Sequence, residues 1–431
     1  MNLSIFPAFG EEETLCLLPS PKVQLADRTG VHSWYHDYAA FSEKFALAAI
    51  EALAFSRNLI VFDPFLGSGT SLVAAAKLGL PFIGNELSPF SALISRAKVA
   101  RNATHQKVLK ILDTLPQEGF DGVGLISKWY SETDLRYANG IMQRISKMVR
   151  KSEIELMQAL LDDTSGKYDD IVVALTAILL SARHSAKLAT GSNPVWTRLA
   201  QKGEIYRRPS LSKIARDKAQ MMLSDLQGLV SNAKMSSTRV LLGDARAIQL
   251  PDNSVDLIIT SPPYLNRLDY VISQLPQLLL LSLQYRFNID VLRKDMVGTT
   301  KIVEKGEPDS AWGATCIHIL EKIKTHKSKA SDTYYYWNFY KYFKDMYQSF
   351  NELKRVARPN ARGVLVIQNS HYKDISIPVS NIFVEMGQNI GFEIRKIKQH
   401  SVKTHMGLLS PQQRQYSPNK TLEEAILLLQ F

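Results

Sequence analysis

The sequence predicts an α/β fold built on a mostly parallel sheet, and two stretches support that prediction. Residues 58–63 form an apolar run, followed by a glycine-containing turn and a helical pattern that Gly79 closes. Residues 255–259 form a second apolar run, which ends at Thr260 and two prolines as a buried strand does at its carboxyl end. In open α/β sheets, ligands bind at the carboxyl edge.

The composition is that of a soluble globular protein with an excess of basic residues. Of 431 residues, 45% are hydrophobic and 22% are charged, which is ordinary for a folded chain and argues against disorder. The length suggests two or three domains, or one domain with large insertions. The formal net charge of +11 predicts a polyanionic partner, with nucleic acid the first candidate and a generally basic surface the plainer alternative.

The cysteine count and the apolar runs exclude several classes of protein. Cys16 and Cys316 are too few for a disulfide framework or a cysteine-based zinc site, as expected in a reducing cytoplasm. His184 has no second ligand at helical spacing, so no metal site is predicted. No apolar run reaches the ~18 residues of a membrane span and no signal-peptide pattern is seen, so we expect a cytoplasmic protein without a membrane partner.

An aromatic stretch precedes the first predicted strand. Residues 32–45 include Trp34, Tyr38 and Phe41, and they lead into a helical pattern for which Ser42 is the predicted N-cap. Aromatic residues at this density either cover the edge of a core or contact a ligand, and the stretch alone does not decide between these roles.

The turn after the first strand has the sequence Pro64-Phe-Leu-Gly67-Ser-Gly69-Thr70. Two glycines between a strand and a helix let a ligand approach the backbone closely and leave helix amides free for a negative group. A nucleotide P-loop needs a lysine before its serine or threonine, and the dinucleotide fingerprint needs a third glycine or alanine where Leu72 stands. Neither of these motifs is present.

A second strand pattern, residues 81–85, ends at Glu86. An acidic side chain at the tip of the second strand can accept hydrogen bonds from ribose hydroxyls. A glycine turn and a ribose acceptor without a phosphate-binding lysine describe a nucleoside ligand that has a carboxylate and no pyrophosphate. S-adenosylmethionine is such a ligand.

The central strand ends in Thr260-Ser261-Pro262-Pro263-Tyr264. The prolines fix φ and lack amide hydrogens, so the loop is stiff and its carbonyls point outward. Stiff acceptors beside an aromatic ring suit a site that holds a planar base by its exocyclic amine while Tyr264 stacks on its face. The alternative is a simple proline stop after a core strand.

These two motifs together resemble those of a known family. Asp63-Pro-Phe-Leu-Gly-Ser-Gly-Thr70 followed by Thr260-Ser-Pro-Pro-Tyr264 is similar to the paired motifs of the amino-methylating DNA methyltransferases, and serine before the prolines is most typical of the cytosine-N4 branch. The resemblance covers roughly residues 32–100, 238–270 and the carboxyl-terminal third. It implies a Rossmann-like methyltransferase fold, with a seven-stranded, mostly parallel sheet whose last strand is antiparallel, and S-adenosylmethionine as cofactor.

The resemblance also assigns the site residues. Ser261 and the Pro262 carbonyl would accept the amine hydrogens, and Tyr264 would stack on a flipped base. Methylation of cytosine carbon five is a poor fit, because it needs a cysteine nucleophile and neither cysteine follows a proline or lies near these motifs. The predicted catalytic residues are Ser261, Pro262, Pro263 and Tyr264, and the predicted cofactor-binding residues are Tyr38, Phe41, Asp63, Pro64, Phe65, Gly67, Gly69, Thr70, Glu86 and Asp244.

The rest of the chain is divided by its patterns. Residues 169–182 predict an apolar helix, and the loop around Trp196 predicts either a DNA contact or a structural anchor. Residues 334–356 predict an aromatic amphipathic helix on the sheet, and 322–329 form a lysine-rich run that is either solvated or in contact with phosphate. The predicted divisions are 1–100 for the aromatic and cofactor-binding half, 101–237 for a large helical insertion and possible target-recognition region, 238–283 for the catalytic half, 284–332 for a variable insertion and 333–431 for the remaining sheet.

The predicted function is site-specific DNA (cytosine-N4) methylation, as part of restriction-modification. Its substrate would be double-stranded DNA with a flipped target base, and a cognate restriction endonuclease is an expected partner. Three alternatives stay open: adenine-N6 methylation, which differs by pocket shape; RNA guanine-N2 methylation, although no RNA-binding module is recognisable; and a catalytically silent DNA-binding subunit, against which the intact motifs argue.

Overall fold

The computed structural model describes most of the chain. The predicted ligand residue Tyr38, and also Cys16 and Trp196, lie outside the described part. The described residues are 17–36, 40–56, 58–113, 124–189, 197–201, 208–230, 238–265, 268–283, 285, 287–301, 304–402 and 422–431.

Within these residues, seven strands form one sheet in the order β3-β2-β1-β4-β5-β9-β8, and two short strands form a hairpin. The first five strands of the sheet are parallel, whereas β9 is antiparallel to both β5 and β8. The mostly parallel sheet with its antiparallel last strand is therefore confirmed. The strands are β1 (Val61–Asp63), β2 (Phe82–Glu86), β3 (Thr238–Leu242), β4 (Val255–Thr260), β5 (Ala357–Gln368), β6 (Ser370–Tyr372), β7 (Ile375–Ile377), β8 (Glu393–Val402) and β9 (Leu422–Gln430).

Helices cover both faces of the sheet. Short 3₁₀ turns at Leu25–Asp27, Gly30–Ser33 and Ser310–Trp312 and a π turn at Ser331–Tyr335 accompany them. The helices are α1 (Glu43–Leu53), α2 (Thr70–Leu78), α3 (Pro89–Ala97), α4 (His105–Leu112), α5 (Ile126–Trp129), α6 (Glu132–Val149), α7 (Glu153–Leu161), α8 (Asp169–Ser185), α9 (Leu211–Val230), α10 (Tyr270–Ser273), α11 (Leu275–Leu281), α12 (Ile289–Asp295), α13 (Ala314–Lys324), α14 (Tyr336–Val356) and α15 (Val379–Ile390).

Two hydrophobic layers lie on opposite faces of the sheet, because successive side chains of a strand point in opposite directions. Val61 and Leu257 pack into the layer that includes α1–α4, α6–α9 and α11. Phe62 and Ile258, which pair across β1 and β4, pack into the layer that includes α13–α15. The aromatic residues of α14 belong to this second layer, so their predicted packing on the sheet is confirmed.

The helical stretch between β2 and β3 is part of the first layer. Helix α8 is buried on nearly all sides from Ile171 to Ala182, as its apolar sequence predicted. A buried ion pair joins it to α3, where Arg96 Nη2 donates to Asp169 Oδ1 at 2.6 Å. The other Asp169 oxygen accepts from the Asn102 amide at 2.8 Å, so this carboxylate fixes α8 against the sheet.

Residues 284–332, where the sequence lacks a clean period, contain α12 and α13. Cys316, Ile319 and Ile323 lie on one buried side of α13, and the helical spacing of these residues spans too short a run to stand out in the sequence. Among the described residues, no helix is both long and apolar enough to cross a membrane, and no cluster of potential ligands could hold a metal ion.

Replacing Asp169 by alanine should destabilise the fold. The change removes the shorter ion pair of Arg96, which is 3% exposed, and the acceptor of the Asn102 amide. Arg96 keeps the Asp163 carbonyl at 2.8 Å and the Asp163 carboxylate at 3.7 Å, so we expect a loss of about 1–3 kcal/mol. Urea denaturation followed by circular dichroism measures the free energy of unfolding. Asp162→Ala, at an exposed position at the end of α7, is the control and should change it by less than about 0.5 kcal/mol; equal losses in both variants would contradict the structural role.

Candidate active site

The two sequence motifs meet at the carboxyl edge of the sheet. Asp63 ends β1 and Thr260 ends β4, and the Thr260 hydroxyl donates to Asp63 Oδ1 at 2.7 Å. The order of strands reverses between β1 and β4, since β2 and β3 lie to one side and β5 to the other. Ligands bind at such a switch point in open α/β sheets.

A cavity of about 890 Å³, including the solvent at its mouth, opens at this edge. Its volume is within the usual range for small-molecule sites, roughly 300–1,000 Å³. Gly69, Pro262 and Tyr264 do not line it, although each is adjacent in sequence to residues that do. The predicted site residues that line the cavity are Phe41, Asp63, Pro64, Phe65, Gly67, Thr70, Glu86, Asp244, Ser261 and Pro263.

Asp63 connects the glycine turn (residues 64–70) to the end of β4. Besides Thr260, its carboxyl group accepts from the Phe65 amide at 3.1 Å and from the Ser71 hydroxyl at 2.6 Å. Asp63 is 2% exposed, and this burial raises its pKa to about 6 although all three hydrogen bonds favour the charged form. The side chain therefore acts on the cavity by fixing two loops relative to each other.

The glycine turn can be built only without side chains at its tightest point. Gly67 and Gly69 have φ of 54° and 84°, in the left-handed region that favours glycine. A Cβ on Gly69 would lie 2.6 Å from the Ser95 Cβ in α3, so no larger residue fits there. The close packing brings the start of α2 against α3 and leaves Gly67 at the cavity wall.

Glu86 braces the same turn from β2. Its Oε2 accepts from the Gly67 amide at 2.8 Å and its Oε1 from the Ser88 amide at 2.8 Å. Each carboxylate oxygen has about two acceptor positions, so these two backbone bonds by themselves do not use the whole acceptor capacity of the carboxylate. That capacity is compatible with the predicted role toward ribose hydroxyls, which stays a prediction.

Asp244 lies at the cavity wall after β3, but Arg246 occupies most of its acceptor capacity. The Arg246 amide, Nε and Nη2 all donate to the Asp244 carboxylate, with Nη2 at 2.6 Å from Oδ2. Arg246 also donates to buried Asp345 at 2.7 Å. The three Arg246 donors leave about one acceptor position on the Asp244 carboxylate. The predicted hydrogen bond from the adenine amine would have to use that position.

The loop of predicted catalytic residues, Ser261–Tyr264, is called the catalytic loop below. It is held by β5, the strand beside it, and by α14. The Ser261 hydroxyl donates to the Val366 carbonyl of β5 at 3.1 Å, and the Pro263 carbonyl accepts from the Tyr342 hydroxyl at 3.0 Å. The Pro262 carbonyl accepts no hydrogen bond from the described residues. The Pro262 carbonyl therefore presents free acceptor lone pairs at this edge, and the Ser261 oxygen, which is also hydrogen-bonded to the Tyr264 side chain, keeps part of its acceptor capacity.

Tyr264 is buried beneath the loop and is 7% exposed. Its hydroxyl donates to Glu424 Oε1 of β9 at 2.9 Å. Burial and the negative charge of Glu424 raise the pKa of Tyr264 well above its ordinary value, so this hydroxyl stays protonated. The predicted stacking of Tyr264 on a base stays a prediction.

The aromatic stretch before α1 contributes to the core at one end and to the cavity wall at the other, and its contact with a ligand stays a prediction. Trp34 is buried and its Nε1 donates to Asp225 of α9 at 2.8 Å, while Tyr35 packs edge-on against Phe90. Phe41 lines the cavity. The first residues of the stretch thus anchor it in the core and the later ones face the ligand site.

Several cavity residues were missed because they come from segments without a recognisable motif. Gln274 precedes α11 and is clamped by two serines of α3: its Oε1 accepts from Ser88 and its Nε2 donates to Ser91 at 2.9 Å. Tyr270 of α10 and the turn after α12 complete the wall. The missed residues are Ala40, Leu66, Ser68, Ser71, Leu87, Ser88, Ser91, Gly243, Ala245, Tyr270, Gln274, Met296 and Val297.

Comparison with known proteins gives consistent results. A family model described as DNA methylase, of the N6/N4 type, matches residues 19–96. The chain is 23% identical to the Type II methyltransferase M.BsoBI of Geobacillus stearothermophilus, covering 90% of this chain and 83% of that protein. It is 24% identical to the Type II methyltransferase M.AvaI of Nostoc sp., and the match covers 85% of this chain and 80% of that protein. The match to the solved structure of the rRNA methyltransferase aviRa from Streptomyces viridochromogenes covers 94% of this chain and 93% of that one, at 9% identity and with a TM-score of 0.30.

The sheet order, the antiparallel β9 and the glycine turn at the end of β1 define a class I methyltransferase, whose cofactor is S-adenosylmethionine. The cavity fits this ligand, since it combines aromatic and apolar walls with carboxylate acceptors at the ends of β2 and β3. With the family match over residues 19–96 and the two motifs, the chain is similar to the amino-methylating DNA methyltransferases.

The burial of Asp63 predicts a pH-dependent difference in stability between the protein and its Asp63→Asn variant. The folded pKa of about 6 is above the ordinary value of 3.8, so between these values the folded state binds a proton that the unfolded chain releases. Lowering the pH from 7 to 4.5 should therefore stabilise the unmodified protein relative to the variant, by about 2 kcal/mol. Urea titrations at both pH values test this, and a pH-independent gap would contradict it.

Proposed function

We propose that the protein transfers a methyl group from S-adenosylmethionine to the exocyclic N4 amine of cytosine in double-stranded DNA, as the modification enzyme of a Type II restriction-modification system. The observation that supports this most is the arrangement of acceptors in the catalytic loop. Ser261 commits its proton to Val366 O, and the Pro262 carbonyl has no donor among the described residues.

Acceptors of this kind are what an amine substrate requires. An exocyclic amine is a poor nucleophile, because its lone pair is delocalised into the ring. Two acceptors for its hydrogens let the nitrogen become more tetrahedral as it attacks, and rigid placement of those acceptors lowers the barrier further. The bonds from Ser261 to Val366 and from Tyr342 to Pro263 supply that rigidity.

The cofactor half of the cavity would hold the methyl donor. Glu86 would accept from the ribose hydroxyls, Asp244 from the adenine amine, and Phe41 would cover the methionine end beside the glycine turn. When bound, S-adenosylmethionine supplies a methyl group on a positively charged sulfur. Asp63 keeps this half in register with the catalytic loop through Thr260.

The target base must leave the DNA helix to reach a loop at the edge of a cavity. Flipping a base costs a few kcal/mol, which aromatic stacking of about 1–3 kcal/mol and hydrogen bonds to the amine can offset. We assign the stacking to Tyr264, whose ring lies between the catalytic loop and β9.

Cytosine is favoured over adenine by the residue at position 261. Serine before the two prolines resembles the cytosine-N4 branch of the family, and relatives along most of the chain are named Type II methyltransferases. Adenine-N6 methylation is the second candidate, since the same acceptors would serve its amine. An endonuclease of matching specificity would be the partner of either enzyme.

Two segments lie beside the Ser261–Tyr264 loop, and their position supports the proposal that they contact DNA. A Cβ on Gly298 would lie 3.7 Å from Pro263 Cβ, so the turn after α12 lies against the loop, and exposed Lys301 follows three residues later. On the other side, Thr197 donates to the Ile272 carbonyl of α10 at 3.4 Å, which brings part of 101–237 to the same edge. We propose 101–237 as the main recognition region and Lys301 as a phosphate contact.

The product of the reaction tests the proposed function. Double-stranded DNA incubated with the protein and S-adenosylmethionine should yield N4-methylcytosine on enzymatic digestion and mass spectrometry of the nucleosides. Tyr264→Ala is the control and should lose most turnover while keeping its calorimetric affinity for S-adenosylmethionine, because this ring does not line the cofactor cavity. N6-methyladenine as the product would select the second candidate, and no methylated nucleoside would refute both.

The role of Lys301 is tested by salt dependence. Lys301→Gln should weaken DNA binding alike across sequences and reduce the slope of log K against log salt by about 1, as expected for one lost phosphate contact. Lys354→Gln is the control, because Lys354 lies in the last turn of α14 beside the start of β5, at the opposite edge of the sheet. Fluorescence anisotropy with labelled duplexes measures both slopes, and equal slopes would remove Lys301 from the interface.

A further inference from the structure

An acidic side chain lies where the last strand approaches the catalytic loop. Glu424 is 7% exposed and pairs with Gln368 in the register of β9 with β5, at the carboxyl edge of the parallel strands. The residues that follow it, from Ala425 to Leu429, are all apolar and buried. Glu424 is therefore a charged group in a strand that otherwise builds the core.

The two oxygens of Glu424 have different surroundings. Oε1 accepts from the Tyr264 hydroxyl at 2.9 Å, while Oε2 is buried and has no hydrogen-bond partner among the described residues. An unsatisfied buried carboxyl oxygen costs free energy of folding. Burial accordingly raises the pKa of Glu424, although the Tyr264 bond and the charge of Lys22 oppose the shift.

The fold does not need this carboxyl group to place β9. The strand is held on both sides by backbone pairing, to β5 from Arg362 to Gln368 and to β8 from Glu393 to Val402. An apolar residue at position 424 would continue the core without the cost of a buried acid. The contact that the carboxyl group makes among the described residues is with the aromatic ring of the catalytic loop.

We propose that Glu424 is a positioning residue for methyl transfer, which holds the Tyr264 ring in the orientation that receives the target base. The inference rests on the proposed stacking role of Tyr264. Ser261 and Pro263 fix the backbone of the loop through Val366 and Tyr342, but neither bond fixes the ring itself. The bond between Tyr264 and Glu424 fixes the ring at its far end, and small errors in such alignment reduce turnover strongly.

A set of four variants tests this role. Tyr264→Phe keeps the ring and removes the donor, Glu424→Leu removes the acceptor at similar volume, and Glu424→Gln keeps an acceptor oxygen. Tyr264→Phe and Glu424→Leu should each lower kcat about tenfold, the effect of one lost hydrogen bond that matters in the transition state. The double variant should be no slower than either single one, and Glu424→Gln should recover kcat to within about threefold.

Further readouts separate positioning from a general structural effect. Calorimetric affinity for S-adenosylmethionine should stay within about twofold in every variant, and 2-aminopurine at the target position should report reduced flipping in Glu424→Leu. Glu423→Leu is the matched control, because Glu423 is the exposed neighbour on the same strand, and its kcat should be unchanged.

Some outcomes would overturn the inference. The inference is wrong if Tyr264→Phe or Glu424→Leu keeps full kcat. It is also wrong if the losses of the two single variants add in the double variant. If Glu424→Leu does not fold, the kcat of Tyr264→Phe alone decides. A product other than N4-methylcytosine in the unmodified protein would refute the proposed base and leave the Glu424 test intact, because the variants are compared on whichever base is methylated.

Discussion

The hydrogen bond between Asp63 and Thr260 joins the two halves of the site. β1 and β4 are neighbours at the point where the strand order reverses, and each ends in a loop that is stiff for its own reason. The glycine turn is fixed by close packing against Ser95, and the catalytic loop by two prolines. A single buried carboxyl group that bonds to both loops sets the distance between the glycine turn and the Ser261–Tyr264 loop, because neither loop can adjust alone.

The site residues are held mainly by bonds inward to the protein. Glu86 accepts from two backbone amides, Asp244 is held by Arg246, and Ser261 donates to Val366. Each of these bonds fixes a rotamer before any ligand arrives, which avoids an entropy cost during the reaction. The acceptor positions that stay open are then few and defined, so the arrangement selects ligands that bring donors, such as ribose hydroxyls and amines.

The sequence was sufficient for the parts of the fold that depend on local chemistry. The strands that end at Asp63, Glu86 and Thr260 were found because each is a short apolar run ending in a polar residue, and the Ser42 cap was found because its hydroxyl accepts from Phe45 within one turn. Gln274 and Glu424 could not be found in this way. Their partners lie 183 and 160 residues away, so only the folded chain brings them to the site.

The buried carboxyl groups of Asp345, Asp63 and Glu424 have different hydrogen-bond partners, and the kind of partner depends on where each group lies relative to the cavity. Asp345 lies behind the wall and is paired with Arg246 and Lys341, where a full charge can be compensated by a cation. Asp63 and Glu424 lie directly under the two loops, and hydroxyls bond to both of them. At Asp63, which lines the cavity, a hydroxyl orients the carboxyl group and leaves its negative field at the cavity, whereas a cation would compete with a positively charged methyl donor. Hydroxyl partners thus let Asp63 both fix the two loops and favour the charge of the cofactor.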